Sequence, residues 1–123
     1  MGGKASRDKG QRGEREVCQL LGDLLGVDLS RTLDQTRDGG ADIVWELWAI
    51  EVKRRIKYTQ GDVMKWWDQA CQQAKTLGKH PVLLYRADRE EWECLMPYSL
   101  EENPSLYYVH GDMKLLVSRI RND

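Results

Sequence analysis

Gly39-Gly40-Ala41-Asp42-Ile43-Val44-Trp45-Glu46-Leu47-Trp48-Ala49-Ile50-Glu51-Val52-Lys53 reads as two short apolar strands with Asp42, Glu51 and Lys53 set into them. Residues i and i+2 of a strand share a face, so Glu51 and Lys53 point one way and Ile50 and Val52 the other. An even-length loop centred between Glu46 and Leu47 sets Asp42 directly opposite Glu51, with Cβ atoms about 4.5–5.5 Å apart. An odd-length loop or a bulge turns Asp42 to the opposite face. Glu46-Leu47 is not the Asn-Gly or Asp-Gly pair that tight hairpins prefer, so the register stays open at this level. With the facing register, the two carboxylates repel, and one holds a proton unless a cation lies between them. Hard oxygen donors without Cys or His nearby suit Mg²⁺, with Mn²⁺ as a substitute, rather than Zn²⁺.

Upstream, Val17, Leu20, Leu21, Leu24 and Leu25 recur with helical spacing and predict a helix over residues 8–25, stopped by Gly26. Counting that stripe backward places Glu14 on its buried face and leaves Glu16 off it. The alternative has Glu14 one turn ahead of the stripe, exposed and favourable to the helix N-terminus. Residues 28–35 read as a strand, and Thr36-Arg37-Asp38-Gly39-Gly40 as a turn-rich loop.

Downstream, Arg54, Arg55 and Lys57 are either a solvated edge that discourages strand pairing or a contact for a polyanion. Thr59 and Asp62 form a capping-box pattern that opens a second helix ending at Gly78, with Val63, Trp66 or Trp67, Ala70, Ala74 and Leu77 buried. Gln69 and Gln73 lie four apart on a neighbouring face, as solvated surface or as accessory groups of an active face. Residues 81–86 and 91–96 read as paired strands, the second with one face to solvent. A short strand over 106–110 and a helix capped by Asp112 follow, its apolar stripe Met113, Leu116, Val117 and Ile120. His80 and His110 have no partner at a meaningful spacing and read as loop residues.

The 123 residues fit one domain, residues 1–123, with a motif-bearing core over about 9–96 and an extension over 97–123. Hydrophobic content of 41% and charged content of 32% exclude a disordered chain, and no apolar run is long enough for a membrane span. Three scattered cysteines and no secretory leader point to reduced thiols in a cytoplasm, a host's if the chain is phage-encoded. Net charge is −1, yet Lys4, Arg7, Lys9, Arg12 and Arg15 crowd the start, and Lys53, Arg54, Arg55 and Lys57 follow the carboxylates. A polyanion can bind to a surface segregated in this way.

Three segments together resemble the PD-(D/E)XK nuclease superfamily, and within it the archaeal-type Holliday junction resolvases and their phage relatives. They are Lys9-Gly10-Gln11-Arg12-Gly13-Glu14-Arg15-Glu16, Gly40-Ala41-Asp42-Ile43-Val44 and Ile50-Glu51-Val52-Lys53. Gly78-Lys79-His80-Pro81-Val82-Leu83 resembles the turn into the next strand, so the likeness covers roughly residues 9–85. Ala41 stands where the superfamily name has Pro, at a position that bears no ligand.

The resemblance implies an α/β fold: a single domain with a mixed central β-sheet flanked by helices, in a restriction-endonuclease-like order α-β-β-β-α-β. It implies Asp42 and Glu51 as metal ligands, Glu14 as a ligand directly or through water, and Lys53 orienting the attacking water. It gives Arg15, Arg31 and Arg37 contacts to DNA phosphates. The expected activity is Mg²⁺-dependent hydrolysis of branched DNA by a homodimer with two active sites, one for each cut of a four-way junction. Trp66, Trp67 and the last helix offer an interface, although tryptophans of this kind are more often core. The alternatives are a nuclease of the same chemistry acting on duplexes or flaps, a non-catalytic DNA-binding module of this fold, and a plain α/β interaction domain.

Overall fold

The computed structural model describes residues 3–30 and 41–122, with backbone alone for residues 3–9. The chain runs α1 (Gly3–Leu25), β1 (Ile43–Trp45), β2 (Trp48–Arg55), α2 (Gln60–Leu77), β3 (His80–Ala87), β4 (Glu93–Pro97), β5 (Tyr108–Asp112) and α3 (Met113–Asn122). One sheet holds the strands in the order β1-β2-β3-β4-β5. β2 and β3 are parallel, joined through α2, and every other neighbouring pair is antiparallel. This is the mixed α/β sheet that the sequence implies.

The hairpin takes the even-length register. Ile43 pairs with Ile50, Val44 with Ala49 and Trp45 with Trp48, leaving Glu46 and Leu47 as the turn. The turn is made by force of packing: Ile43, Trp48 and Ile50 are all buried, and a one-residue slip would turn that set out of the core. Glu46 absorbs the strain at φ 56°, a left-handed conformation unfavourable to residues with a Cβ. Glu46→Gly is therefore expected to raise stability by about 0.5–1 kcal/mol, the relief of that strain less the extra freedom glycine gives the unfolded chain. The gain would be seen as a higher denaturant midpoint at unchanged slope. The Lys79 ammonium bond to the Glu46 carbonyl (2.6 Å) uses backbone only and survives the change. A lower midpoint would show that the Glu46 side chain has a role of its own.

One sheet face carries Ile43, Trp48, Ile50, Val52, Val82, Leu84, Cys94 and Met96 against α1 and α3. The other carries Leu83, Tyr85 and Leu95 against Val63, Trp67 and Ala70 of α2, with Ala74 on Ala41 and Ala49. Helix α2 has the expected boundaries. The Thr59 side chain accepts from Asp62 N–H, Asp62 returns the bond to Thr59 N–H, and Gly78 ends the helix at φ 69°. Trp67 is core, its indole N–H donating to the Pro104 carbonyl at 3.0 Å. The apolar face of α3 is likewise used inside, with Leu116, Val117 and Ile120 buried. Neither is left to form an interface between copies.

Several expectations are corrected. Leu20 and Leu24 are 41% and 42% exposed; the buried face of α1 follows Gly13, Val17, Cys18 and Leu21 instead. The strand expected over 28–35 does not begin where it should. Asp28 Oδ1 accepts from Ser30 N–H (3.0 Å) and Ser30 is helical, while residues 31–35 lie outside the described residues, as does the 36–40 loop. β4 has four of its five residues buried, so it shows no solvent face. His80 and His110 lie on strands: His80 packs against Trp48 and His110 bonds Glu93 at 2.8 Å. The cysteines are unpaired, and no described helix is long and apolar enough to cross a membrane.

Candidate active site

Glu51 sits in the middle of β2, paired with Leu83 of β3 and one residue past the end of the β1 ladder, on the face covered by α2. It is 5% exposed, in a neighbourhood that otherwise buries apolar groups. Its Oε1 lies 3.5 Å from Lys53 Nζ, and its Oε2 is buried with no hydrogen-bond partner. Asp42, one residue before β1, is fixed by its own carboxylate: Oδ2 accepts from Val52 N–H at 2.8 Å. That bond carries the β1–β2 pairing past Ile43 with a side chain in place of a strand carbonyl.

Burial pushes the Glu51 carboxyl well above its ordinary range, and the Asp42 charge and a hydrogen bond between the two side chains add to the shift. Lys53 opposes it and does not win. The Glu51 carboxyl is thus biased toward its protonated form, as expected of a carboxylate buried beside another. An unpartnered buried carboxylate oxygen costs about 1–3 kcal/mol, and a divalent cation would relieve that cost. Two oxygen donors fit Mg²⁺ or Mn²⁺, since Mg²⁺ commonly uses one or two carboxylates and keeps its remaining waters. Asp42 and Glu51 would hold it. Among the described residues no three Asp, Glu, His or Cys side chains form a metal-holding group, so Glu14 does not complete a triad. Glu14 is half-buried on α1, near enough to Cys18 for its charge to reinforce burial in pushing that thiol up to about 11.

The accessory glutamines separate. Gln69 is exposed, whereas Gln73, beside the Ala74 that packs on Ala41 and Ala49, buries its Oε1 without a partner. The basic residues separate too. Arg12, Arg15 and Lys57 are exposed. Arg55 shares the Glu51–Lys53 face and lies over the Trp66 ring, 5.5 Å from its centroid. Arg54 faces the other way and lies 3.4 Å from both Glu16 and Asp88. Arg31, Arg37 and the side chain of Lys9 lie outside the described residues. The sequence reading missed Glu16, Arg86 and Trp92, which bind one another across the sheet. The clue was an arginine closing an apolar strand and a second glutamate beside Glu14.

A family profile described as "Phage putative PDDEXK endonuclease" matches residues 5–110, a span holding Glu14, Asp42, Glu51 and Lys53. The chain belongs to this family. No curated protein and no solved structure matches it. Membership in the PDDEXK family makes the chain a nuclease with DNA as the implied substrate, and nucleases of this kind generally use divalent metals.

Proposed function

We propose that the chain hydrolyses DNA phosphodiester bonds with Mg²⁺, or Mn²⁺ in its place, at Asp42, Glu51 and Lys53, and that it acts as a homodimer on four-way junctions. The observation that carries this reading is the buried Glu51 carboxylate, one oxygen without a hydrogen-bond partner and the other 3.5 Å from the Lys53 ammonium, beside an Asp42 anchored on Val52 N–H. A divalent ion supplies Lewis acidity, making water a nucleophile near neutral pH and offsetting charge on the phosphate. Asp42 and Glu51 would hold that ion, with Glu51 ionised. Lys53 donates to the attacking water or to a phosphate oxygen as negative charge builds there. Glu14 would contribute to holding the ion, directly or through water. Arg12 and Arg15 on α1, with Arg55 and Lys57 toward and past the end of β2, hold the DNA backbone. Preference for junctions draws on the resemblance of the three motifs to junction resolvases, and two cuts across a twofold-symmetric junction require two copies of the chain.

The test is incubation of labelled four-way junction, flap, nicked and linear duplex substrates with Mg²⁺ and with chelator. Paired, symmetric cuts in the junction that chelator abolishes are the expected result. Equal cutting of linear duplex would remove the junction and leave the nuclease. No cutting of any substrate, together with no Mn²⁺ affinity, would overturn the reading.

A further inference from the structure

Glu16 is gripped from three sides, on the sheet face opposite Glu51. Arg86 forms a bidentate pair with it, Nε to Oε1 at 2.8 Å and Nη2 to Oε2 at 3.1 Å. The Trp92 indole N–H donates to Oε1 at 2.7 Å, and Arg54 Nη1 to Oε2 at 3.4 Å. The grip is itself braced. The Arg86 guanidinium lies 5.4 Å from the Trp92 ring centroid, and Trp92 is only 7% exposed. Burial raises the Glu16 carboxyl, but the hydrogen bonds from Arg86 and Trp92 and the two arginine charges outweigh it and hold the group ionised below its usual range.

These contacts fix a rotation. A helix turns about 100° per residue, so Glu14 and Glu16 leave α1 on opposite flanks. Between them the helix rests on the sheet: a Cβ at Gly13 would come within 3.1 Å of Arg54 Cβ and 3.7 Å of Val52, and Val17 is fully buried. Glu16 reaches toward β3 and the Trp92 that precedes β4. The opposite flank therefore faces the β1 edge, where Asp42 stands one residue ahead of the strand. Cys18, which shares that flank, is the thiol whose shift Glu14 reinforces.

We infer that Glu16 is a positioning residue: its clamp on Arg86 and Trp92 sets the rotation of α1 and so aims Glu14 at the β1 edge, toward Asp42 and Glu51. The inference rests on the metal site of the proposed function but goes beyond it, because it assigns a role to a carboxylate that touches neither ion nor substrate. Outer partners of this kind tune a metal site by orienting its ligands.

The experiment is a double-mutant cycle of Glu16→Ala and Glu14→Gln in the full chain, read by Mn²⁺ affinity from electron paramagnetic resonance and by junction cleavage. Glu16→Ala is expected to keep its circular dichroism and its half-saturating DNA concentration. It should lose on the order of tenfold or more in Mn²⁺ affinity and in turnover. With Glu14 already changed to Gln, the same substitution should cost little more, because the two residues act as one unit. An equal loss in both backgrounds would mark a merely structural residue and overturn the inference, as would no loss in either. If Glu16→Ala does not fold, Glu16→Gln takes its place, keeping an acceptor for Trp92 while losing the ion pair. Coupling in Mn²⁺ affinity with no DNA cut would uphold the positioning role and defeat the nuclease reading alone. A wild-type chain with no Mn²⁺ affinity would defeat both.

Discussion

Asp42→Asn and Glu51→Gln are each expected to lower DNA cleavage by about 10³-fold or more, some 4 kcal/mol in the barrier, while the protein stays folded and still binds DNA. Each change is nearly isosteric. The amide oxygen that Asp42→Asn introduces can still accept from Val52 N–H, the bond that holds this position in place. What disappears is negative charge where the ion would bind, so metal-assisted water activation goes with it. Stability should move the other way. The metal-free protein carries a buried carboxyl whose folded pKa is raised above the ordinary 4.5. Between those two values the folded state binds a proton that the unfolded state has released, so stability falls as pH rises through that window. Glu51→Gln removes that slope and should raise the melting temperature of the metal-free protein at neutral pH, as substitutions at strained functional sites often do. A Glu51→Gln protein that cuts at the wild-type rate would dismiss the site. One that cuts poorly but is less stable would mean Glu51 serves the fold.

Lys53→Ala is expected to reduce turnover by about 10²–10⁴-fold, the range for loss of a positioned proton donor or acceptor, with metal binding retained. Lys53 is the cation paired with Glu51, and it opposes the upward shift of that carboxyl. Without it the carboxyl holds its proton more tightly, so the variant should need a higher pH than wild type for the same Mn²⁺ occupancy. Calorimetric titration with Mn²⁺ across pH, beside single-turnover cleavage, separates the two effects. Complete loss of metal binding at every pH would make Lys53 part of the ion's cradle. A cleavage rate within a factor of about two of wild type would remove it from the chemistry.

Half of the hairpin was legible: alternation of apolar residues places Glu51 with Lys53, whereas the register stayed open until the structure paired buried Ile43 with Ile50. The helix after it was legible from Thr59, Asp62 and Gly78, whose effects are local. The phase of α1 was not. Five apolar residues fit the stripe, but Leu20 and Leu24 end up at the surface while Gly13 faces the sheet, and glycine carries no hydrophobic signal. That misphasing set Glu16 aside. Arg86 and Trp92 lie 70 and 76 residues away from it in the chain, and no spacing rule connects charges across that distance.

Residue order alone dictated the carboxylates, the lysine two residues beyond one of them and the caps of α2, because strand alternation and capping act within a few residues. Folding in three dimensions was needed to lend the Asp42 carboxylate to the backbone of β2, to bury Glu51 with an oxygen unsatisfied, and to turn α1 by a clamp on its far side. Each of those depends on which surfaces close against one another, and burial first of all is what pushes the Glu51 carboxyl above the ordinary carboxylate range.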